Sequence, residues 1–274
     1  MSDPRLTPFS GRMAHVSLQG QIAAQGFTEG TWQRLRAPLA DLLRSPDGPR
    51  DRQLLHGARL CVIDQQGQYA YVQAQTDGYC GWLLAEGLGP DTMVTHRVNT
   101  RATHLYTAPD LKSREAGSLS LNAQVAITAS EGRFLGTADG LWIPEQHLSS
   151  LGHFAPDPVA VAETLLGTPY LWGGNSSSGV DCSGLVQLAL QACGKVCPGD
   201  SDLQEAALGP HLPYGTAPER GDLLFWRGHV AWVSAADRVL HANAHTMSVA
   251  HEPLEGAIAR IAAETPLTAH IRPE

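Results

Sequence analysis

The segment from Thr168 to Gly194 constrains the fold and chemistry of this chain more than any other. It joins a short aromatic strand, a loop of glycine and serine, and an apolar helix, in the order TPYLWGGNSSSGVDCSGLVQLALQACG. Leucine and alanine recur at helical spacing from Leu185 to Ala192, and a glycine just after such a pattern is a usual helix end. Cys182 therefore lies near a helix N-terminus, where free amide N–H groups and the helix dipole favour an anion. A thiol there is expected to shift toward the nucleophilic thiolate.

The same cysteine has an ordinary structural explanation. A lone cysteine beside an apolar helix is more often a small buried hydrophobic residue than a nucleophile. Here the Gly/Ser loop has too few side-chain atoms to cover the sulfur, and Asp181 and Ser183 flank Cys182 in the sequence. Both interpretations stay open on this segment alone, and a nucleophilic cysteine needs a base.

Two candidate strands, 229–233 and 238–242, supply a base. A hairpin centred on Ala235 would set His229 directly opposite His241 on one sheet face, with Cβ atoms roughly 5 Å apart. One imidazole could then accept the thiol proton while the other orients the first.

Other histidines and cysteines are weaker candidates. His245 and His251 follow the second strand and could replace His241, but neither opposes His229 in this register. Cys193 and Cys197 are spaced by four, yet a zinc site would need further well-placed ligands. We therefore expect no metal and no other cofactor.

Composition limits the partners and the compartment. The formal net charge is −8, so neither nucleic acid nor an anionic membrane surface is expected to bind. The five cysteines are few and odd in number, which argues against a disulfide framework and suits a reducing compartment. The N-terminal residues have no apolar core of signal-peptide length, and no window of about 18 apolar residues occurs. A cytoplasmic location is the resulting expectation.

Four separated sequence blocks occur in the order typical of NlpC/P60 cysteine peptidases, which residues 155–274 resemble. The blocks are Pro169-Tyr170-x-Trp172-Gly173-Gly174, Asp181-Cys182-Ser183-Gly184, Gly221-Asp222-Leu223 with Gly228-His229-Val230-Ala231, and His241-Ala242. That family is papain-like and cuts bacterial cell-wall peptides. The resemblance implies that Cys182 is the nucleophile, His229 the base and His241 the orienting third residue. It also places the Tyr170 hydroxyl near the thiol and assigns Trp172 to substrate binding.

The resemblance also implies a site for a free amine. In relatives with SH3-type modules, an Asp-Ser pair after the catalytic helix receives the amine of an L-alanyl end, and this chain has Asp200-Ser201 there. The arginine common before that aspartate is Gly199 here. Without the resemblance, Asp200 is an ordinary helix N-cap. Tyr79 is expected to cover the pocket, or else to be a core aromatic, and Asp41 is a weaker second acid.

The N-terminal half consists of short strands and turns. We predict an irregular arm over 1–33 with a short helix near Thr28 to Leu35, then SH3-like modules over 34–92 and 93–152, related by a weak repeat offset by roughly 60 to 70 residues. Residues 153–274 form the peptidase domain. The predicted fold class is α+β, a papain-like NlpC/P60 catalytic domain preceded by two small all-β SH3-like barrels.

The expected activity is a cysteine endopeptidase acting on murein-derived peptides. It would cut between γ-D-glutamate and a diamino acid, diaminopimelate or lysine, in peptides with a free N-terminal L-alanine, during cell-wall peptide recycling. Backbone N–H groups at the helix start, with Ser183, would stabilise the oxyanion. No protein partner is predicted. One alternative is a thiol amidase or acyltransferase of the same superfamily. Another is a catalytically idle wall-binding protein, which should lack one of the Cys, His, His set.

Overall fold

A computed structural model describes residues 3–273, and within that range 17% of the chain is helical and 41% is strand, which makes the fold α+β. The chain divides into two compact units between Gly152 and His153. The predicted domain bounds stay predictions, and the first two residues of the predicted N-terminal arm lie outside the described range.

The first part of the N-terminal unit is a seven-stranded antiparallel sheet preceded by a short parallel pair. The strands are β1 Met13–His15, β2 Gly26–Thr28, β3 Thr31–Leu35, β4 Leu39–Leu43, β5 Arg50–Leu55, β6 Arg59–Gln66, β7 Tyr69–Ala74, β8 Cys80–Leu84 and β9 Leu88–Pro90. β1 pairs with β2, and the larger sheet has the order β5-β4-β8-β7-β6-β3-β9. Aromatic residues of β7 and β8, among them Tyr71 and Trp82 at 5.3 Å between ring centroids, pack in its core.

The helix predicted near Thr28 to Leu35 is wrong. Thr31–Leu35 is strand β3, paired with β6 on one side and β9 on the other. Two neighbouring strands supply backbone hydrogen bonds along this segment, and Thr31 and Trp32 are residues that favour strands. The seven-stranded sheet therefore includes residues before 34, while the predicted bounds of the first module stay predictions.

The second part of the N-terminal unit has two smaller antiparallel sheets around their own core. The strands are β10 His96–Val98, β11 Ala102–Tyr106, β12 Glu115–Ser120, β13 Gln124–Val125, β14 Ile127–Glu131, β15 Phe134–Thr137, β16 Trp142–Pro144 and β17 Leu148–Ser150. Their orders are β13-β10-β17 and β12-β11-β16-β15-β14. Buried Val98, Leu119 and Ile143 belong to the core. Such small β-rich modules agree with the predicted SH3-like barrels.

The C-terminal unit combines four α-helices with a five-stranded antiparallel sheet. Its elements are α1 Pro158–Glu163, β18 Asn175–Ser176, β19 Gly179–Val180, α2 Cys182–Ala192, α3 Ser201–Ala207, β20 Leu223–Trp226, β21 His229–Ala235, β22 Arg238–Asn243, β23 Ser248–Pro253, α4 Leu254–Ala262 and β24 Leu267–Ile271. The sheet order is β23-β22-β21-β20-β24, and β18 pairs with β19. Residues 3–273 contain no helix long and apolar enough to cross a membrane.

Helices cover both faces of the five-stranded sheet. On one face, Ala231, Val233 and Val239 form a core with Ala257 and other residues of α4. Val230 and Trp232 are also buried, and strand alternation directs them to the opposite face. Helix α2 packs against β21 and β22. This arrangement holds the N-terminus of α2 against the beginning of β21.

Candidate active site

Asp181 builds the turn that starts helix α2. It is the N-cap, and its Oδ1 accepts hydrogen bonds from the Gly184 N–H at 2.7 Å and from the Ser183 hydroxyl at 2.9 Å. Its Oδ2 accepts the Gly173 N–H at 2.9 Å, so one carboxylate ties the glycine loop to the helix start. A Cβ on Gly184 would lie 2.5 Å from the Gly174 carbonyl oxygen, so this turn requires glycine there.

Cys182 is the first residue of α2 and is 7% exposed. Its thiol contacts the Gly228 carbonyl oxygen at 4.0 Å, which places the sulfur beside the residue that precedes His229. Burial, and then the charge of Asp181, raise the pKa of Cys182 to about 12, against hydrogen bonds from the Val230 and Ser183 N–H groups. Burial thus opposes the thiolate that the helix terminus favours, and a resting thiolate at Cys182 stays a prediction.

The two histidines of the predicted hairpin meet, but not in the predicted register. Val233 pairs with Val239 and Ala235 with Arg238, with a bulge between Val233 and Ala235. Continuing that register sets His241 beside Ala231, two residues from His229 and on the same face. A diagonal pair of this kind is still within reach of ring contacts.

The contact between the rings is direct. Nε2 of His229 lies 2.8 Å from Nδ1 of His241, and the ring centroids are 5.1 Å apart. The His241 side chain is fully buried, whereas His229 is half-buried, with its ring centroid 5.7 Å from that of Trp226. The arrangement has the geometry of a base held by an orienting group, at the strand that borders Cys182.

Both histidines are neutral near neutral pH. Burial, followed by the charge of His241, lowers the pKa of His229 from 6.5 to about 3. Burial also lowers the pKa of His241 from 6.5 to about 4, although Glu252 acts in the opposite direction. Burial thus disfavours the charged forms of the thiol and of both imidazoles.

These depressed pKa values predict an acid-sensitive fold. Between pH 6.5 and about 4 the unfolded chain binds protons that the folded histidines reject, so stability decreases as the pH falls through this window. Going from pH 6.5 to 5, we expect a loss of up to about 2 kcal/mol for each histidine. Urea unfolding of the full chain at both pH values measures this loss. A His229→Asn, His241→Asn double variant should lose clearly less than the parent, and equal losses would contradict the assignment.

Tyr170 and Trp172 come directly before the glycine loop and differ in exposure. Burial, and then the charge of Cys182, raise the pKa of Tyr170, so its phenol lies within electrostatic range of the thiol. The Tyr170 N–H donates to the Met247 carbonyl at 2.9 Å. Trp172 is 65% exposed. The Ser183 hydroxyl donates to Asp181, and Ser183 is itself buried.

Asp200 and Ser201 begin helix α3, which is tied to the start of α2. The Gln204 amide of α3 donates to the Ser183 carbonyl at 2.9 Å. Asp200 holds the N-cap position, Ser201 is buried, and the negative charge of Asp200 contributes to raising the pKa of Asp181. The carboxylate therefore lies within electrostatic range of the turn that carries Cys182.

Tyr79 belongs to the N-terminal unit. It is 1% exposed, and the Arg52 guanidinium carbon lies 5.0 Å from its ring centroid. Arg52 in turn forms an ion pair with Asp77. The predicted role of Tyr79 in substrate binding stays a prediction.

Sequence reasoning missed two charged residues behind His241. Glu252 on β23 lies 3.1 Å from Nε2 of His241, and Arg260 on α4 donates to both Glu252 oxygens. A second hairpin, β22–β23, pairs His241 with Ala250, which puts Glu252 on the same face two residues away. The sequence alone has no local signal for this pair, because it depends on the β22–β23 register and on the position of α4 together.

The remaining histidine and metal candidates lie elsewhere. His251 faces the Ser234 hydroxyl at 3.1 Å, and His245 is exposed in the turn after β22. Within residues 3–273, no group of three or more His, Cys, Asp and Glu side chains is arranged to hold a metal ion.

Two families match this chain. The model described as the NlpC/P60 family matches residues 167–261, and the bacterial dipeptidyl-peptidase SH3 domain matches residues 42–88. NlpC/P60 domains belong to the cysteine peptidase superfamily. The chain is 25% identical over 234 residues to dipeptidyl-peptidase 6 of Lysinibacillus sphaericus, covering 76% of this chain and 86% of that protein. It is 28% identical over 193 residues to the gamma-D-glutamyl-L-lysine dipeptidyl-peptidase of Bacillus subtilis, covering 64% of this chain and 63% of that protein.

A solved structure shares the fold. The crystal structure of an NlpC/P60 family protein from Bacillus cereus aligns with a TM-score of 0.74 at 20% identity, covering 86% of this chain and 98% of that one. The likeness extends over both units. The chain thus contains an NlpC/P60 domain and, ahead of it in the sequence, a bacterial SH3 domain.

Proposed function

We propose that the protein is a cysteine endopeptidase that hydrolyses the bond between γ-D-glutamate and a diamino acid in murein peptides with a free N-terminal L-alanine. The 2.8 Å contact between His229 and His241, at the strand that borders Cys182, carries the proposal. A nucleophile, a base and an orienting group in this order form the arrangement required for acyl transfer through a covalent intermediate.

The reaction would proceed in two halves. The Cys182 thiol proton moves to His229 as sulfur bonds to the carbonyl carbon, and the carbonyl π electrons move to oxygen. The oxyanion collapses, the C–N bond breaks, and His229 gives its proton to the leaving amine, which leaves a thioester. His229 then takes a proton from water, the resulting hydroxide attacks the thioester, and the released thiolate regains the proton.

The beginning of α2 offers donors for the oxyanion. The backbone N–H groups of Cys182 and Ser183 act on the sulfur to lower the pKa of the thiol, whereas the N–H of Gly184 is occupied by Asp181. Because the Ser183 hydroxyl also donates to Asp181, we assign oxyanion stabilisation to the backbone N–H groups rather than to that hydroxyl.

Asp200 is the proposed receptor for the substrate amine. A cationic amine is bound well by a held carboxylate, through a charge-assisted hydrogen bond. Asp200 lies at the start of α3, close enough to the catalytic turn to act on the Asp181 carboxyl. The name of the Bacillus subtilis relative, a gamma-D-glutamyl-L-lysine dipeptidyl-peptidase, supports this substrate class. A recycling role in the cytoplasm stays a prediction.

The deciding experiment compares two peptides. L-Ala-γ-D-Glu-diaminopimelate and its N-acetyl form are incubated with the protein, and the products are identified by mass. We expect the free-amine peptide to be cut into L-Ala-γ-D-Glu and diaminopimelate, and acetylation to lower kcat/KM by at least about tenfold, because the carboxylate then loses its cationic partner. The lysine analogue tests the choice of diamino acid.

A variant pair assigns this discrimination to Asp200. Asp200→Asn should lower kcat/KM on the free-amine peptide while leaving much less difference between free and acetylated forms. Asp202→Asn is the matched control, because Asp202 follows Ser201 in α3 and is exposed. It should show the same ratio of kcat/KM between the free and acetylated peptides as the parent. If the parent cuts both peptides equally well, the cleft is open at that end, and hydrolysis of intact wall peptides becomes the better description.

A further inference from the structure

A carboxylate and a guanidinium extend the histidine pair away from the thiol. Oε2 of Glu252 lies 3.1 Å from Nε2 of the fully buried His241. Arg260 donates through Nε to Oε1 at 2.9 Å and through Nη2 to Oε2 at 2.7 Å. Arg260 thus holds Glu252 in a bidentate pair, in which the Glu252 side chain is 17% exposed and that of Arg260 is 33% exposed.

The contacts decide where each ring proton lies. Arg260 keeps Glu252 ionised, and an ionised carboxylate only accepts hydrogen bonds. Nε2 of His241 must therefore carry the proton, which leaves its Nδ1 as an acceptor. Nε2 of His229, at 2.8 Å from that Nδ1, must then be the donor. The remaining nitrogen of His229, Nδ1, is left with a free lone pair.

We propose that Glu252, held by Arg260, is a positioning residue that fixes the tautomers of His241 and His229 and so leaves Nδ1 of His229 as the atom that accepts the Cys182 proton. The proposal rests on the proposed function, because proton acceptance has consequences only if Cys182 acts as a nucleophile. Glu252 does not touch the reacting atoms; it acts through two rings.

Several ionisable side chains affect the protonation of His241. The groups that act on it are His229 from β21, Glu252 from β23, Arg260 from α4 and His245 from the turn after β22. Burial, and after it the interactions with Arg260 and His245, lower the pKa of His241, whereas Glu252 raises it. The chain of rings is neutral at rest, so its tautomers are well defined at neutral pH.

Three substitutions of Glu252 separate positioning from charge. Glu252→Ala removes the acceptor and should give mixed tautomers in both rings. Glu252→Gln keeps an acceptor oxygen without the charge, and Glu252→Asp keeps both with a shorter reach. The measurement is the ¹⁵N NMR spectrum of the histidine rings in the full chain without substrate, alongside kcat and KM on the free-amine peptide.

We expect Nε2–H tautomers for His229 and His241 in the parent and in Glu252→Gln. Glu252→Ala should lose this tautomer preference and at least about tenfold in kcat with KM within twofold, because a wrong tautomer removes the base. Glu252→Gln should stay within about threefold of the parent, and Glu252→Asp should lie between the other two. Glu255→Gln, an exposed carboxyl on the first turn of α4, is the matched control and should change neither readout.

Several outcomes would overturn the inference. An Nδ1–H tautomer on His241 in the parent would do so, as would parental tautomers and kcat in Glu252→Ala. A Glu252→Gln variant with parental tautomers but the low kcat of Glu252→Ala would show that charge, not position, is what matters. Because the ring spectra need no substrate, a failure to cut the peptide would count against the proposed function without touching the tautomer assignment.

Discussion

Replacing Cys182 with alanine is expected to abolish peptide cleavage while the fold stays intact. Removal of a nucleophile that acts together with a base costs several orders of magnitude, and we expect kcat to fall by about 10⁴-fold or more. The fold should tolerate the change because alanine suits the first turn of a helix and the loss is a single sulfur atom from a buried position. Cleavage of L-Ala-γ-D-Glu-diaminopimelate, followed by mass, measures the effect.

Two controls make this result specific to the nucleophile. Cys193→Ala changes a partly exposed thiol at the other end of α2 and should keep full activity. Cys182→Ser keeps the size of the side chain but replaces the thiol with a much weaker nucleophile, so it should be nearly as inactive as Cys182→Ala. An electrophilic substrate analogue should attach to Cys182 in the parent. Activity within tenfold of the parent in Cys182→Ala would remove the cysteine from the mechanism.

The local features of the site could be predicted, because they depend on neighbours in sequence. The glycine loop, the Asp181 cap and the apolar run of α2 lie within one continuous segment. Each is predictable because its residue types are the ones that a tight loop, a helix N-cap and a buried helix require. The two strands that carry His229 and His241 could also be predicted, from their runs of strand-forming residues and the short turn between them.

Features that depend on distant parts of the chain could not be predicted. The register of the histidine hairpin differs from the predicted one because the turn lies at Ala236 and Asp237 instead of being centred on Ala235. Ser234 then adds a bulge, where its hydroxyl lies 3.1 Å from Nδ1 of His251 on β23. The Glu252–Arg260 pair needs the β22–β23 register and the position of α4 together. The charge state of Cys182 depends on how deeply the whole unit buries it, which no motif encodes.

The pKa values of Cys182 and His229 affect when the thiol proton is transferred. With the pKa of Cys182 raised to about 12 and that of His229 lowered to about 3, a thiolate–imidazolium pair is disfavoured in the free enzyme. We therefore expect proton transfer to accompany attack rather than to precede it, so that the reactivity of the thiol depends on His229.

Replacing His229 with alanine should consequently lower kcat about as much as replacing Cys182, by about 10⁴-fold or more. His241→Ala should cost roughly 100-fold less, since an orienting group supplies only part of the effect while the base remains. Added imidazole should partly restore His229→Ala, because a free base can enter the space left by the ring. The measurement is kcat on the free-amine peptide for each variant.

A control variant and a double variant test whether His229 acts together with Cys182 or separately from it. His251→Ala changes another histidine of the same sheet, one that faces Ser234 instead of the catalytic pair, and should keep kcat within twofold. If Cys182 and His229 act as one unit, the Cys182→Ala, His229→Ala double variant should be no slower than either single variant, because the first loss already removes what the second residue contributes. Additive losses in the double variant would mean that His229 is not the base for Cys182. A His241→Ala variant slower than His229→Ala would mean that the order of the two rings must be reversed.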